Sequence, residues 1–182
     1  MACVVYGARP RDPSAPARYS TGMKLIEQSL LDTLAASATS APRGRAHHNV
    51  HANATDPVQR FFVVADQRSY FRPHRHLVRS ELALIVRGAV DVLTFDDEGT
   101  VTGRWSAGEG QPAVAYETPQ HVWHTLLVRR DGTAFFEVKE GPYDPATAVD
   151  FAPWAPPEGD AAVAQYQDWL RAAQPGDRSP GA

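Results

Sequence analysis

The sequence predicts a mainly β protein, an antiparallel sandwich or barrel with one helix before it and one after it. Three observations carry that prediction. From Val58 onward, "VQRFFVVAD", "ELALIVRGAVDVLTF", "PAVAYE", "VWHTLLV" and "AFFEVKE" form short runs rich in Val, Leu, Phe and Tyr, most of them separated by Gly, Pro, Asp or Asn. No helical stretch lies between the runs, which favours antiparallel over parallel pairing. Helical periodicity occurs only outside this region, after Met23 and after Asp160.

Taken in order, residues 1–22 are Arg-rich with a single acid, Asp12, and the prolines at 10, 13 and 16 forbid the amphipathic helix of a transit peptide. A disordered extension is expected there, with Met23 as an alternative start. In "KLIEQSLLDTLAASA" the pattern places Leu25, Ile26, Ser29, Leu30, Thr33 and Leu34 on one helical face, ending before Pro42. Residues 23–57 comprise this helix and a polar connection, "RGRAHHNVHANATDPVQR", which holds three of the seven histidines. Residues 58–143 form the barrel, where "FDDEGTVTGRW" reads as a hairpin turning at Asp97, Glu98 and Gly99. Residues 144–173 are a proline-rich segment, pinned by Phe151 and Trp154, and a second helix capped by Asp160 with Val163, Tyr166, Trp169 and Leu170 on one face. A disordered tail is expected at 174–182.

Composition excludes several functions. With 18 basic and 21 acidic residues, a net charge of −3 and no basic run, nothing favours nucleic acid or an anionic membrane surface. Apolar runs such as Leu82 to Val86 are far too short to span a bilayer. A single cysteine, Cys3, permits no internal disulfide, so a reducing, cytoplasmic setting is the expectation.

The chemistry concentrates in "YFRPHRHLVRSELALIVRG". Residues i and i+2 of a strand share a face, so His74 and His76 converge, and a turn can return Glu81 beside them. His124 lies in a further strand-like run after Pro119. Three imidazoles and a carboxylate suit one divalent ion of the Fe, Mn, Zn, Ni or Co type.

These residues resemble the cupins. His74-x-His76-x4-Glu81-x6-Gly88 is similar to the first cupin motif, with Arg68 in place of its leading glycine. Pro119 to His124 resembles the second, with His121 replacing the glycine and Val128 the expected asparagine. "RAHHNVH", "DPVQR", "RPHRH", "FFEVKEGPYDP" and "DFAPW" occur in the order found in WbuC-type cupin metalloproteins, so the resemblance runs from about Lys24 to Leu170. It implies a single jelly-roll cupin barrel and metal ligation by His74, His76, Glu81 and His124. It also implies a small-molecule ligand such as a sugar or sugar-nucleotide intermediate of surface-polysaccharide (O-antigen-like) biosynthesis, and a homodimer. A metal-dependent isomerase or epimerase, an Fe(II) dioxygenase and a non-catalytic ligand-binding or regulatory module all remain open.

Several other residues have two readings. His121 is either a solvated turn residue or a proton shuttle at the cavity mouth. Asn49, His51 and Arg60 match positions of the WbuC-type pattern and are candidates for ligand binding, Arg60 through its planar fork if it faces inward. Tyr70, Tyr116 and the four tryptophans read as packing residues. Glu137 and Lys139, alternating with apolar neighbours, read as the exposed face of a strand.

Overall fold

The computed structural model describes residues 23–181. Its elements are α1 (Gln28–Ser40), β1 (Arg45–Asn49), β2 (Val58–Ala65), β3 (His74–Arg75), β4 (Glu81–Arg87), β5 (Ala89–Phe95), β6 (Val101–Gly108), β7 (Ala115–Thr118), β8 (Trp123–Val128), β9 (Thr133–Glu140), β10 (Asp150–Phe151) and α2 (Val163–Ala172). The strands form two five-stranded sheets, ordered β1-β2-β9-β4-β7 and β10-β3-β8-β5-β6, with antiparallel ladders throughout. None of the described helices is long and apolar enough to cross a membrane.

Alternation along the strands decides what each face meets. Val63, Ala65, Ile85 and Phe135 of the first sheet close against Val90, Val92, Leu126 and Val128 of the second. Full burial of a side chain as large as Phe135 contributes about 1.5–3 kcal/mol. The other face of the second sheet is also covered: Leu93, Phe95, Trp123 and Leu127 pack under Trp154, Tyr166 and Leu170. That explains why β8 is buried at every position, His124 and Thr125 included. Helix α1 covers part of the first sheet, where Leu31 and Leu34 meet Val64 and Ala134.

The structure departs from the sequence expectations at several elements. Helix α1 starts at Gln28, not Lys24, and buries Leu31, Leu34 and Ala38, while Leu25 and Ile26 are exposed. The polar connection contains strand β1, stabilised by pairing with β2 rather than by its own composition. Trp105 is exposed on β6 and lies across Gly103, where a Cβ would sit 2.0 Å from its ring. Trp154 is buried as expected, but Phe151 is half-exposed, held by Arg72 over its ring. The segment expected to be a disordered tail is ordered up to residue 181. The Val101 N–H donates to Asp177 O at 2.8 Å, the Ser179 N–H donates to Gly99 O at 2.9 Å, and Ser179 is buried beside Trp154 and Tyr166. Pairing with the β5–β6 hairpin supplies the partners that "QPGDRSPGA" cannot supply itself. The expected N-terminal extension, 1–22, lies outside the described residues.

Two motif positions have a local physical cause. Arg68, in place of the expected glycine, donates to the carbonyls of Ala38, Thr39, Ala41 and Pro42 at 2.7–3.3 Å and so satisfies the C-terminal end of α1. Gly88 has φ +75°, and a Cβ there would lie 2.4 Å from Thr133 Oγ1.

His121 retains the backbone of the glycine it replaces, with φ +66°. A side chain in that region costs about 1–2 kcal/mol, offset in part by the roughly 0.5–1 kcal/mol of chain entropy a glycine loses on folding. His121→Gly is therefore expected to raise stability by up to about 1 kcal/mol, measured as a higher urea midpoint. An unchanged or lower midpoint would show that the imidazole compensates for its own strain.

Candidate metal centre

Strand register assembles the histidine cluster. β3 pairs with β8 at one position, His74 opposite His124, and His76 follows two residues after His74. The rings of His74 and His124 are 4.4 Å apart, those of His74 and His76 5.2 Å, and those of His76 and His124 5.6 Å. One ligating atom from each of the three lies within 4.8 Å of the others.

Each imidazole is oriented by a backbone carbonyl. His74 Nδ1 is 2.9 Å from Arg72 O, His76 Nδ1 2.7 Å from Ala148 O, and His124 Nδ1 2.9 Å from Val122 O. A carbonyl only accepts, so all three Nδ1 atoms carry protons, and in the neutral rings the Nε2 lone pairs are left free. That outer shell of acceptors is what orients metal-ligating histidines. His124 Nε2 is buried and has no hydrogen-bond partner. His76 Nε2 lies 3.0 Å from Glu81 Oε2; with the His76 proton on Nδ1, two acceptors would face each other there unless a proton or cation intervenes. Burial lowers the pKa of His74, and the neighbouring His124 charge adds to this. Burial likewise lowers that of His124, against the pull of Glu81. Both are therefore poised as neutral donors to a cation.

Glu81 stands beside the cluster, with Oε1 3.9 Å from His124 Nε2. It also pairs with Lys139, its register partner across the β4–β9 ladder. Lys139 Nζ lies 3.1 Å from Glu137 as well, so one ammonium bridges two buried carboxylates. Burial would raise the pKa of Glu81, but the Lys139 ammonium, together with the neighbouring His76 and His124, outweighs it and holds that carboxyl well below its usual range. Glu137 moves the other way: burial, reinforced by repulsion from Glu81, pushes it up to about 7. Burial opposes the charge on Lys139, yet the two carboxylates hold its pKa above the ordinary value. Opposite Ala83 on β7, Tyr116 keeps its hydroxyl buried and unpartnered, and burial next to the two carboxylates raises its pKa far above that of a free phenol.

The histidines, the two carboxylates and Lys139, though not Tyr116, line a cavity of about 520 Å³, within the range of small-molecule sites. His74, His76, Glu81 and His124 line it, as do Asn49 and His51. Two other candidates stand outside it. Arg60 sits between the cavity residues Gln59 and Phe61, so β2 directs its side chain to the opposite face, where it pairs with Asp56 at 3.2 Å. Its backbone does reach the site, because His51 Nδ1 lies 3.0 Å from Arg60 N and 2.9 Å from its O. His121 is exposed on its turn and does not line the cavity, so it is not placed to shuttle protons there. Glu137 and Lys139, expected on the exposed face, face the cavity instead, Glu137 buried and Lys139 half-buried.

A family model described as a domain of unknown function (DUF6016) matches residues 26–107. No curated protein matches the chain. Among solved structures, CapF with the inhibitor 3-isopropenyl-tropolone is similar with a TM-score of 0.51 at 14% identity, over 62% of this chain and 32% of CapF. The chain has the cupin fold.

KdgF from Halomonas sp. is similar at 19% identity and TM-score 0.43, over 59% of this chain and 86% of KdgF. Oxalate oxidase in complex with the substrate analogue glycolate is similar at 18% identity and TM-score 0.46, over 63% of this chain and 58% of the oxidase. Within the cupin barrel, the residues that sequence reasoning missed are Arg79, Glu137 and Lys139. The alternation of Glu137 with Lys139 showed that they share a face, and only the covering of the other face shows which one. Arg79, two residues before Glu81 in the loop after β3, carried no signal apart from that proximity.

Proposed function

We propose that this cupin binds one divalent metal ion through His74, His76 and His124, with Glu81 as the fourth group, and acts on a small polar molecule in the adjoining cavity. The observation that carries this reading is the cluster itself: three imidazoles locked by carbonyls at Nδ1, with ligating atoms within 4.8 Å of one another and the Nε2 of His124 buried without a hydrogen-bond partner. When bound, a divalent ion supplies Lewis acidity that polarises a carbonyl or hydroxyl, or with iron a site for oxygen chemistry.

The chain's own residues supply the rest. Glu137, with its pKa near 7, is suited to take and return a proton at neutral pH. Lys139 holds Glu81 ionised and steadies Glu137 by the same ammonium. Asn49 and His51 at the cavity wall are suited to orient hydroxyls. This acid–base group inside the cavity favours an enzyme over a non-catalytic binding module. A sugar or sugar-nucleotide intermediate of surface-polysaccharide biosynthesis is the ligand class that the WbuC-type resemblance supports, and the polar side chains of Asn49, His51 and Gln59 in the cavity wall are compatible with it.

Elemental analysis of gently purified protein tests the reading. About one metal ion per chain is expected, and its identity separates oxygen chemistry (iron) from Lewis-acid chemistry (zinc or manganese). Protein that neither retains nor takes up a divalent ion overturns the proposal.

A further inference from the structure

We propose that Arg79 is the anchor for an oxyanion, a carboxylate or a phosphate, on the small molecule that enters the cavity. The inference deepens the functional reading above and takes from it that the cavity is a ligand site.

Arg79 lines the same cavity as the three histidines and is only 4% exposed. Its Nε is buried without a hydrogen-bond partner, and none of the ion pairs among the described residues includes it. The other cations of the cavity are engaged. Arg43 and Arg45 both pair with Glu158, Arg45 also donates to Tyr70 O at 2.9 Å, and Lys139 is shared by Glu81 and Glu137. Neither of the cavity acids, Glu81 or Glu137, pairs with Arg79; both turn to Lys139.

A guanidinium cannot escape burial by losing its proton, as a lysine can. An unpaired buried charge is strongly unfavourable, and a ligand anion reaching Arg79 supplies the partner that no side chain gives it. The planar fork of Arg79 can donate to two oxygens of a carboxylate or phosphate side by side. The ligand class is thus an oxyanion-bearing small molecule, with the charged group at Arg79 and the remainder extending toward the histidines.

The test uses the full chain as purified, with its metal content measured. Inorganic phosphate, malonate and glycerol are compared by thermal melting and calorimetric titration. Phosphate or malonate is expected to raise the melting midpoint saturably while glycerol does not, and whichever anion is preferred separates a phosphate from a carboxylate ligand. Arg79→Gln should weaken that anion at least ten-fold and raise the ligand-free midpoint, because it removes an uncompensated charge. If Arg79→Gln does not fold, Arg79→Lys keeps the charge without the fork and should show the same weakening. The inference is overturned if neither anion outperforms glycerol, or if the Arg79 variant binds the anion as the wild type does. Metal present without Arg79-dependent anion binding overturns this inference alone. Arg79-dependent binding without any metal leaves it standing and removes the metal reading.

Discussion

Lys139→Met is expected to destabilise the protein by about 3–5 kcal/mol, the usual cost of leaving a buried partner charge uncompensated. Urea unfolding of chelator-treated protein is the measurement. Lys139 bridges Glu81 and Glu137, and both carboxylates are buried. Adding Glu81→Gln to Lys139→Met should recover most of the loss, since replacing a buried ion pair by neutral groups is often close to neutral. A loss below about 1 kcal/mol would place the ammonium in solvent. The same triad sets a pH dependence. Glu137 has a folded-state pKa raised from its ordinary 4.5 to about 7, so its contribution is fully present below pH 4.5 and is lost as pH rises toward 7. A shift of that size corresponds to about 3 kcal/mol. Glu81 has the opposite sign: its contribution is present above pH 4.5 and is lost as pH falls toward its depressed pKa. Glu137→Gln should therefore flatten the decline between pH 4.5 and 7 while leaving the acid-side loss in place. An unchanged profile would remove Glu137 as the group that titrates near neutrality.

His124→Ala is expected to reduce metal affinity by more than about 100-fold, beyond the range of outer-shell substitutions. Metal at a thousand-fold excess over its dissociation constant stabilises a folded protein by about 4 kcal/mol, so this variant should show little or no rise in melting midpoint on metal addition. His124 is a sharper test than His76. The His76 Nδ1–H also ties the segment around Ala148 to the barrel, and its removal mixes two effects. The β-rich circular dichroism spectrum should persist in His124→Ala, because β8 keeps Leu126 and Val128 in the inner core. Wild-type metal uptake by this variant would remove His124 from the site, and complete unfolding would assign the histidine a structural role.

How much was legible in the sequence follows from how local each signal is. The β-rich character came from the two-residue period of the runs, and that period is a property of neighbouring residues. The nearness of His74 to His76 was equally local, since strand parity alone puts them on one side. Gly88 could be read because its turn needs a positive φ and leaves no room beside Thr133. Strand β1 was not legible: "RAHHN" has weak strand character, and its pairing with β2 supplies what the composition lacks.

The sequence by itself determined the fold class, the two flanking helices and the residues of a possible metal cluster. The tertiary structure alone decided which face of each strand is inside. Alternation sorts residues into two sets without saying which set meets solvent, and that depends on what covers the sheet from outside. Helix α1 packs on Ala134 and Val64, so the Glu137 and Lys139 side of β9 turns inward. On β2 the same rule turns Gln59 and Phe61 inward and sends Arg60 out, and the loop after β3 buries Arg79 without a counter-charge. Each of these outcomes depends on contacts between residues far apart in the chain, which no pattern read along a single segment contains.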